Sequence, residues 1–109
     1  MYKFIDKFGY GEPFVYIHPY KQEVVKNAVN QAFEGISHII VFGSAVGLAC
    51  KPYSDVDLCV IGDVCENSLT KLRTKGQPMD ILHYTSVEEL KKDRRVYEEI
   101  TRKGVMVYG

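Results

Sequence analysis

A chain of 109 residues has room for one domain, and at that size about two-thirds of the unfolded surface is buried, enough for an apolar core. Its 14 Lys and Arg balance 14 Asp and Glu, which removes any bulk-charge signal for nucleic acid or a membrane surface. No run approaches the ~20 apolar residues of a membrane span, the N-terminus does not read as a signal peptide, and the 3 cysteines, without a C-x-x-C pair, read as reduced thiols. A cytoplasmic protein is expected.

Residues 1–19 make an aromatic arm, with Phe4, Phe8, Tyr10, Phe14 and Tyr16 interrupted by Gly9, Gly11, Pro13 and Pro19. Those interruptions forbid a long helix. Phe14–Ile17 reads as a short strand. The arm is expected either to pack on the domain or to offer a surface for a second copy or another partner, since clustered Tyr and Phe suit interfaces. The single domain then runs over 20–109. Pro19 suits a first helical turn. Val24, Val25, Ala28, Val29, Ala32 and Phe33 recur at steps of three and four, which predicts an amphipathic helix to Phe33, ended by Gly35. A continuous apolar strand follows over Ser37–Phe42.

Ser54–Ile61 is a second strand, closed by Gly62 and Asp63. Residues 64–76 are open between two readings. Leu69 and Leu72 suggest a short helix capped by Asn67 or Ser68, whereas the alternation Leu69, Lys71, Arg73, Lys75 suggests an edge strand. Gly76-Gln77-Pro78 breaks the chain before a third strand at Met79–Tyr84. Ser86 opens a helix over Val87–Lys103, broken near Asp93, with Glu88 and Glu89 in its first turn. Gly104 ends it, and Val105–Tyr108 is a last strand.

The chemistry gathers between the first two strands. Asp55 and Asp57 are one residue apart in a strand and so share a face. Asp80 stands in an apolar strand, where an acid is costly without a partner. If the strands at 54–61 and 79–84 are neighbours, three carboxylates meet and make an oxygen-rich site for magnesium, which takes a few carboxylates, waters and substrate phosphates. Two such ions about 3.5–4 Å apart would hold the attacking and leaving oxygens of a displacement at phosphorus. Gly43, without a Cβ, lets a phosphate approach the backbone, and Ser44 adds a hydroxyl and the start of a short anion-attracting helix. Ser54 is expected to hydrogen-bond locally and set up the strand. His18, His38 and His83 show no metal spacing. His83 should face away from Asp80, and Cys59, on the face of Asp57, should be core. Tyr53 reads as loop cover or a base-stacking ring. Lys91, Lys92, Arg94 and Arg95 read as a solvated helix face.

The string Gly43-Ser44, ten residues, Asp55-Val56-Asp57-Leu58, with Met79-Asp80-Ile81 later, resembles the nucleotidyltransferase superfamily that includes DNA polymerase beta. In length it looks most like the minimal nucleotidyltransferases, the MNT proteins, over roughly residues 20–109. The resemblance implies an α/β fold, a small mixed sheet flanked by helices. It also implies magnesium-dependent transfer of a nucleoside monophosphate, AMP from ATP, to a hydroxyl with release of pyrophosphate. Asp55, Asp57 and Asp80 would bind the metal and be catalytic, Asp80 drawing the acceptor's proton. Gly43, Ser44, Lys51 and Ser54 would bind the nucleotide. MNT proteins are often paired with a helical HEPN protein as the antitoxin that modifies it, and that partner is implied too. Many family members carry an arginine just after the Gly-Ser pair, where this chain has Ala45, Val46, Gly47 and Leu48. Lys51 is the nearest substitute, with Lys71, Arg73 and Lys75 others if their segment folds over the site. That departure keeps a second expectation open, a nucleotide-binding antitoxin with a remnant site.

Overall fold

The computed structural model describes residues 3–4, 19–46, 54–73 and 77–109. Within them the apolar run that leads to Gly43 becomes the middle of a five-stranded sheet. The strands are β1 (Lys3–Phe4), β2 (Ile36–Phe42), β3 (Val56–Gly62), β4 (Met79–Tyr84) and β5 (Val105–Tyr108), in the spatial order β1-β5-β2-β3-β4. Strands β2 and β3 are antiparallel, as are β2 and β5, while β3 and β4 are parallel. The mixed sheet with flanking helices is therefore as expected.

Alternation along β2 and β3 divides the apolar residues between two faces. Ile39, Val41, Leu58 and Val60 join Val24, Val25 and Ala28 of helix α1 (Pro19–Asn30), together with Leu69, Leu72 and Met79. Ile40, Phe42, Cys59 and Ile61 join Leu90 of α2 (Val87–Lys92) and Val96 and Ile100 of α3 (Arg94–Lys103). A continuous apolar run is what a strand covered on both faces requires. Each fully buried Ile, Leu or Val contributes about 1.5–3 kcal/mol, and these two layers hold the sheet.

The break between α2 and α3 falls at Asp93, as the sequence predicts. Ser86 caps α2 by accepting from the Glu89 N–H at 3.2 Å, and the Tyr84 hydroxyl donates to Asp93 Oδ2 at 2.8 Å. Gly104 ends α3, its N–H donating to the Ile100 carbonyl at 2.7 Å.

One expectation is corrected, one open choice falls to the short helix, and one strand is added. Helix α1 stops at Asn30, not Phe33. Tight turns take over, with the Ala32 N–H donating to the Val29 carbonyl and the Ile36 N–H to the Phe33 carbonyl, and Gly35 lies in the turn at φ +100°. Ala32 and Phe33 still pack on the α1 layer, so the apolar period outlasts the helix. The ambiguous segment forms a 3-10 helix over Glu66–Leu72, not an edge strand, and Cys65 precedes it without a side-chain cap. A repeat of three suits the Leu69–Leu72 spacing, because side chains three apart eclipse in a 3-10 helix, and both leucines are buried. Finally, Lys3 and Phe4 of the arm pair with Met106 and Val105 of β5, an edge strand the sequence does not announce. The strand expected at Phe14–Ile17 lies outside the described residues. No helix among the described residues is long and apolar enough to cross a membrane.

Leu72→Ala is expected to destabilise the domain by about 2–5 kcal/mol through the cavity it leaves. Lys71→Ala, one residue away and exposed, should stay within about 0.5 kcal/mol. Urea denaturation monitored by circular dichroism measures both.

Candidate active site

The parallel ladder between β3 and β4 pairs Asp57 with Asp80, and the antiparallel ladder between β2 and β3 pairs Phe42 with Asp57. Phe42 belongs to the layer under α2 and α3, as does Cys59, two residues beyond Asp57. Asp57 and Asp80 therefore face that layer, at the end of the sheet where β2 gives way to Gly43. Asp55 lies one residue ahead of β3. Asp55 and Asp80 are exposed and Asp57 is half-buried.

Gly43 stands directly against this group. Its φ is +74°, in the left-handed region that disfavours a side chain, and a Cβ there would overlap Oδ2 of Asp57. The carboxylate thus occupies the space a side chain at position 43 would need. Gly43–Ala45 form a single 3-10 turn, closed by the Val46 N–H on the Gly43 carbonyl at 3.1 Å, and Val46 is already extended. The helix expected to start at Ser44 is only this turn. An anion placed there would meet backbone N–H groups and the Ser44 hydroxyl rather than a helix dipole.

The electrostatics report how the acids sit. Burial first, and then the charges of Asp80, Asp55 and Glu99 in that order, push the Asp57 carboxyl up from its ordinary 3.8 to about 6. Asp57 is thus the focus of three other acids. Glu99 is the member the sequence did not single out. It lies on α3 between the buried Val96 and Ile100, at the border of that helix's apolar face, and that border position was the only available signal. Among the described residues no group of three or more His, Cys, Asp or Glu is gathered so as to hold a metal ion by itself. The set is open.

The other expected residues fall as follows. Ser54 is half-buried and engaged in an interaction just ahead of β3. Lys51, Tyr53 and Lys75 lie outside the described residues. Lys71 stacks its ammonium 5.5 Å from the centre of the Phe33 ring, and Arg73 donates from Nη1 to the Met79 carbonyl at 2.6 Å. Phe33 packs on the α1 layer, so Lys71 is drawn to the face opposite Asp57. His83 bonds the Gly62 carbonyl at 2.7 Å, a structural position. Cys59 is core, with burial and then the Asp93 charge pushing its thiol up to about 12.

A family model, the nucleotidyltransferase domain, matches residues 23–105, a span that holds Gly43, Ser44, all three aspartates and Glu99. The chain belongs to that family. No curated protein and no solved structure matches it. The resemblance set out in the sequence implies a divalent cation at this site. The donor chemistry here fits such an ion: the acids are oxygen donors only, they repel one another through Asp57, and magnesium itself uses one or two carboxylates with waters and substrate phosphates.

Two outcomes follow from this geometry. Between pH 3.8 and about 6 folded Asp57 holds a proton that the unfolded chain has lost, so metal-free stability should fall as pH rises through that window. Asp57→Asn should flatten this dependence and melt at the same or a higher temperature at pH 7, as read by thermal denaturation across pH 3.5–7.5. Gly43→Ala should destabilise the domain by about 1–3 kcal/mol through positive φ and the Asp57 collision. Most of the collision part should vanish in an Asp57→Ala background, as a double-mutant cycle measures.

Proposed function

We propose that this nucleotidyltransferase domain moves AMP from ATP to a hydroxyl acceptor, releasing pyrophosphate, with magnesium held by Asp55, Asp57 and Asp80. The observation that carries this reading is the pairing of Asp57 with Asp80, with Gly43 packed on the Asp57 carboxylate. Phosphate turn and acids are thereby one unit. Magnesium, when bound, would neutralise phosphate charge and favour ionisation of the acceptor hydroxyl.

The chain's own groups then have distinct tasks. Gly43 makes room for the Asp57 carboxylate against the turn, and Ser44 donates its hydroxyl to a phosphate oxygen. Ser54, and Lys51 in the segment before it, complete the nucleotide contacts. Asp80, exposed on the outer strand, accepts the proton of the acceptor hydroxyl. The acceptor oxygen forms its bond to the α-phosphorus while the bond from that phosphorus to the bridging oxygen breaks, and the electron pair leaves with pyrophosphate. Such transfer depends on positioning and charge stabilisation more than on covalent chemistry.

For the acceptor we propose a tyrosine hydroxyl on a helical HEPN-type protein, with this domain as the antitoxin of the pair, working in the cytoplasm. The likeness to MNT proteins supports that choice. A second reading has its own support. The four positions after Ser44 carry no basic residue, and Lys71 and Arg73 are occupied elsewhere. The domain would then bind nucleotide and neutralise its partner by contact alone.

The test is incubation with magnesium, ATP labelled at the α-phosphate and the product of the neighbouring gene, repeated with Asp55→Ala/Asp57→Ala. Transfer reads as metal-dependent label on the partner, lowered at least about a hundredfold in the double variant. Neutralisation that survives in the double variant, with no label in either, selects the contact reading.

A further inference from the structure

The other face of β4 borders a hollow of about 190 Å3, lined by Glu66, Leu69, Thr70 and Arg73 on one side and by Ile81 and His83 on the other. It is separate from the acids. Asp80 and Ile81 are consecutive in β4 and so point to opposite faces. Leu69 belongs to the α1 layer and Ile81 packs against it, which puts the hollow on that side of the sheet.

Its polar groups are already oriented by bonds to the backbone. Arg73 gives one N–H to the Met79 carbonyl at 2.6 Å, and its guanidinium has further N–H donors. The Thr70 hydroxyl gives its hydrogen to the Asn67 carbonyl at 2.9 Å, which leaves its oxygen as an acceptor. His83 Nε2 bonds the Gly62 carbonyl at 2.7 Å. A carbonyl only accepts, so Nε2 carries the hydrogen and Nδ1 of the neutral ring is an acceptor. Glu66 adds a carboxylate. The lining thus combines a flat cationic donor with three acceptor groups, beside the apolar side chains of Leu69 and Ile81.

That inventory selects a ligand. A simple anion would meet the Glu66 charge, and a simple cation the Arg73 charge. A neutral polar ring avoids both penalties. An exocyclic amine on it would donate to the acceptors, and a ring nitrogen would accept from Arg73. Its face would lie on the apolar side chains or on the guanidinium plane. The hollow is smaller than a pocket for a drug-sized molecule and suits one ring system, with the rest of the ligand left in solvent. We propose that it is a second binding site, for an amino-bearing nucleobase of the adenine type, on the face of the sheet opposite the acids. The site is independent of those acids and of any metal they hold.

The test titrates adenosine and inosine, without magnesium, into wild type, Glu66→Ala and Thr70→Val, read by amide chemical-shift mapping in NMR. Inosine has a carbonyl where adenosine has its amine, which turns a donor into an acceptor. Adenosine is expected to shift the amides of residues 66–73 and 79–83 saturably, and inosine to bind at least about tenfold more weakly. Glu66→Ala and Thr70→Val should each lower adenosine affinity by about threefold or more and narrow the preference over inosine. Thr70 also ties the short helix together, so if Thr70→Val loses its fold, Glu66→Ala alone decides. Adenosine shifts confined to Gly43, Ser44 and Asp57, equal affinities for the two nucleosides, or an affinity unmoved by Glu66→Ala overturn the proposal. The absence of a saturable shift with either nucleoside overturns it too.

Discussion

The Asp57 carboxylate rests on the α-carbon of Gly43, and much of the rest answers to that contact. It requires glycine at 43, because a methyl group would take the place of a carboxylate oxygen. The same residue sits at positive φ, which turns the chain out of β2 immediately after Phe42, the residue paired with Asp57. The Gly43–Ala45 turn and the acidic strand therefore cannot shift independently. A one-residue slip between β2 and β3 would turn Asp57 into the α1 layer and bring Val56 or Leu58 to the turn. The apolar residues on both faces of β2 and β3 prevent it.

The two layers also explain how the domain tolerates its acids. Asp57 raises its own proton affinity by being half-buried among like charges, which costs stability near neutral pH. The cost is offset by a sheet covered on both faces, in which β2 and β3 are almost wholly buried. The acids sit where the ladder ends rather than within it. Charge, exposure and backbone turn are concentrated at one end of the sheet, and packing fills the remainder.

Much of this was legible in the sequence for physical reasons. Apolar runs bounded by glycine mark strands, and the period of two puts Asp57 and Cys59 on one face and His83 opposite Asp80. The pairing of β3 with β4 turned a costly acid in an apolar strand into the partner of Asp57. The end of α1 was not legible, because Ala32 and Phe33 keep the helical period while packing from a turn. The 3-10 helix at Glu66–Leu72 was ambiguous, because Leu69, Lys71 and Arg73 satisfy alternation while Leu69 and Leu72 satisfy a repeat of three. Glu99 was hidden, because a glutamate at the border of a helix face looks solvated until the helix is docked. Strand β1 was hidden as well, since two residues carry no period.

The position of β4 at the margin of the sheet has a consequence for how the site lives in time. Asp80 is tied to Asp57 through one ladder only, with β3 on its inner side and no strand beyond it among the described residues. Outer strands open locally at lower free energy than central ones, in excursions that leave the rest folded. Such fraying would separate Asp80 from Asp57 while both core layers stay intact. The assembled set of acids is then a sub-population of the folded domain. Anything that grips Asp57 and Asp80 together selects that sub-population and slows amide exchange along Met79–Tyr84.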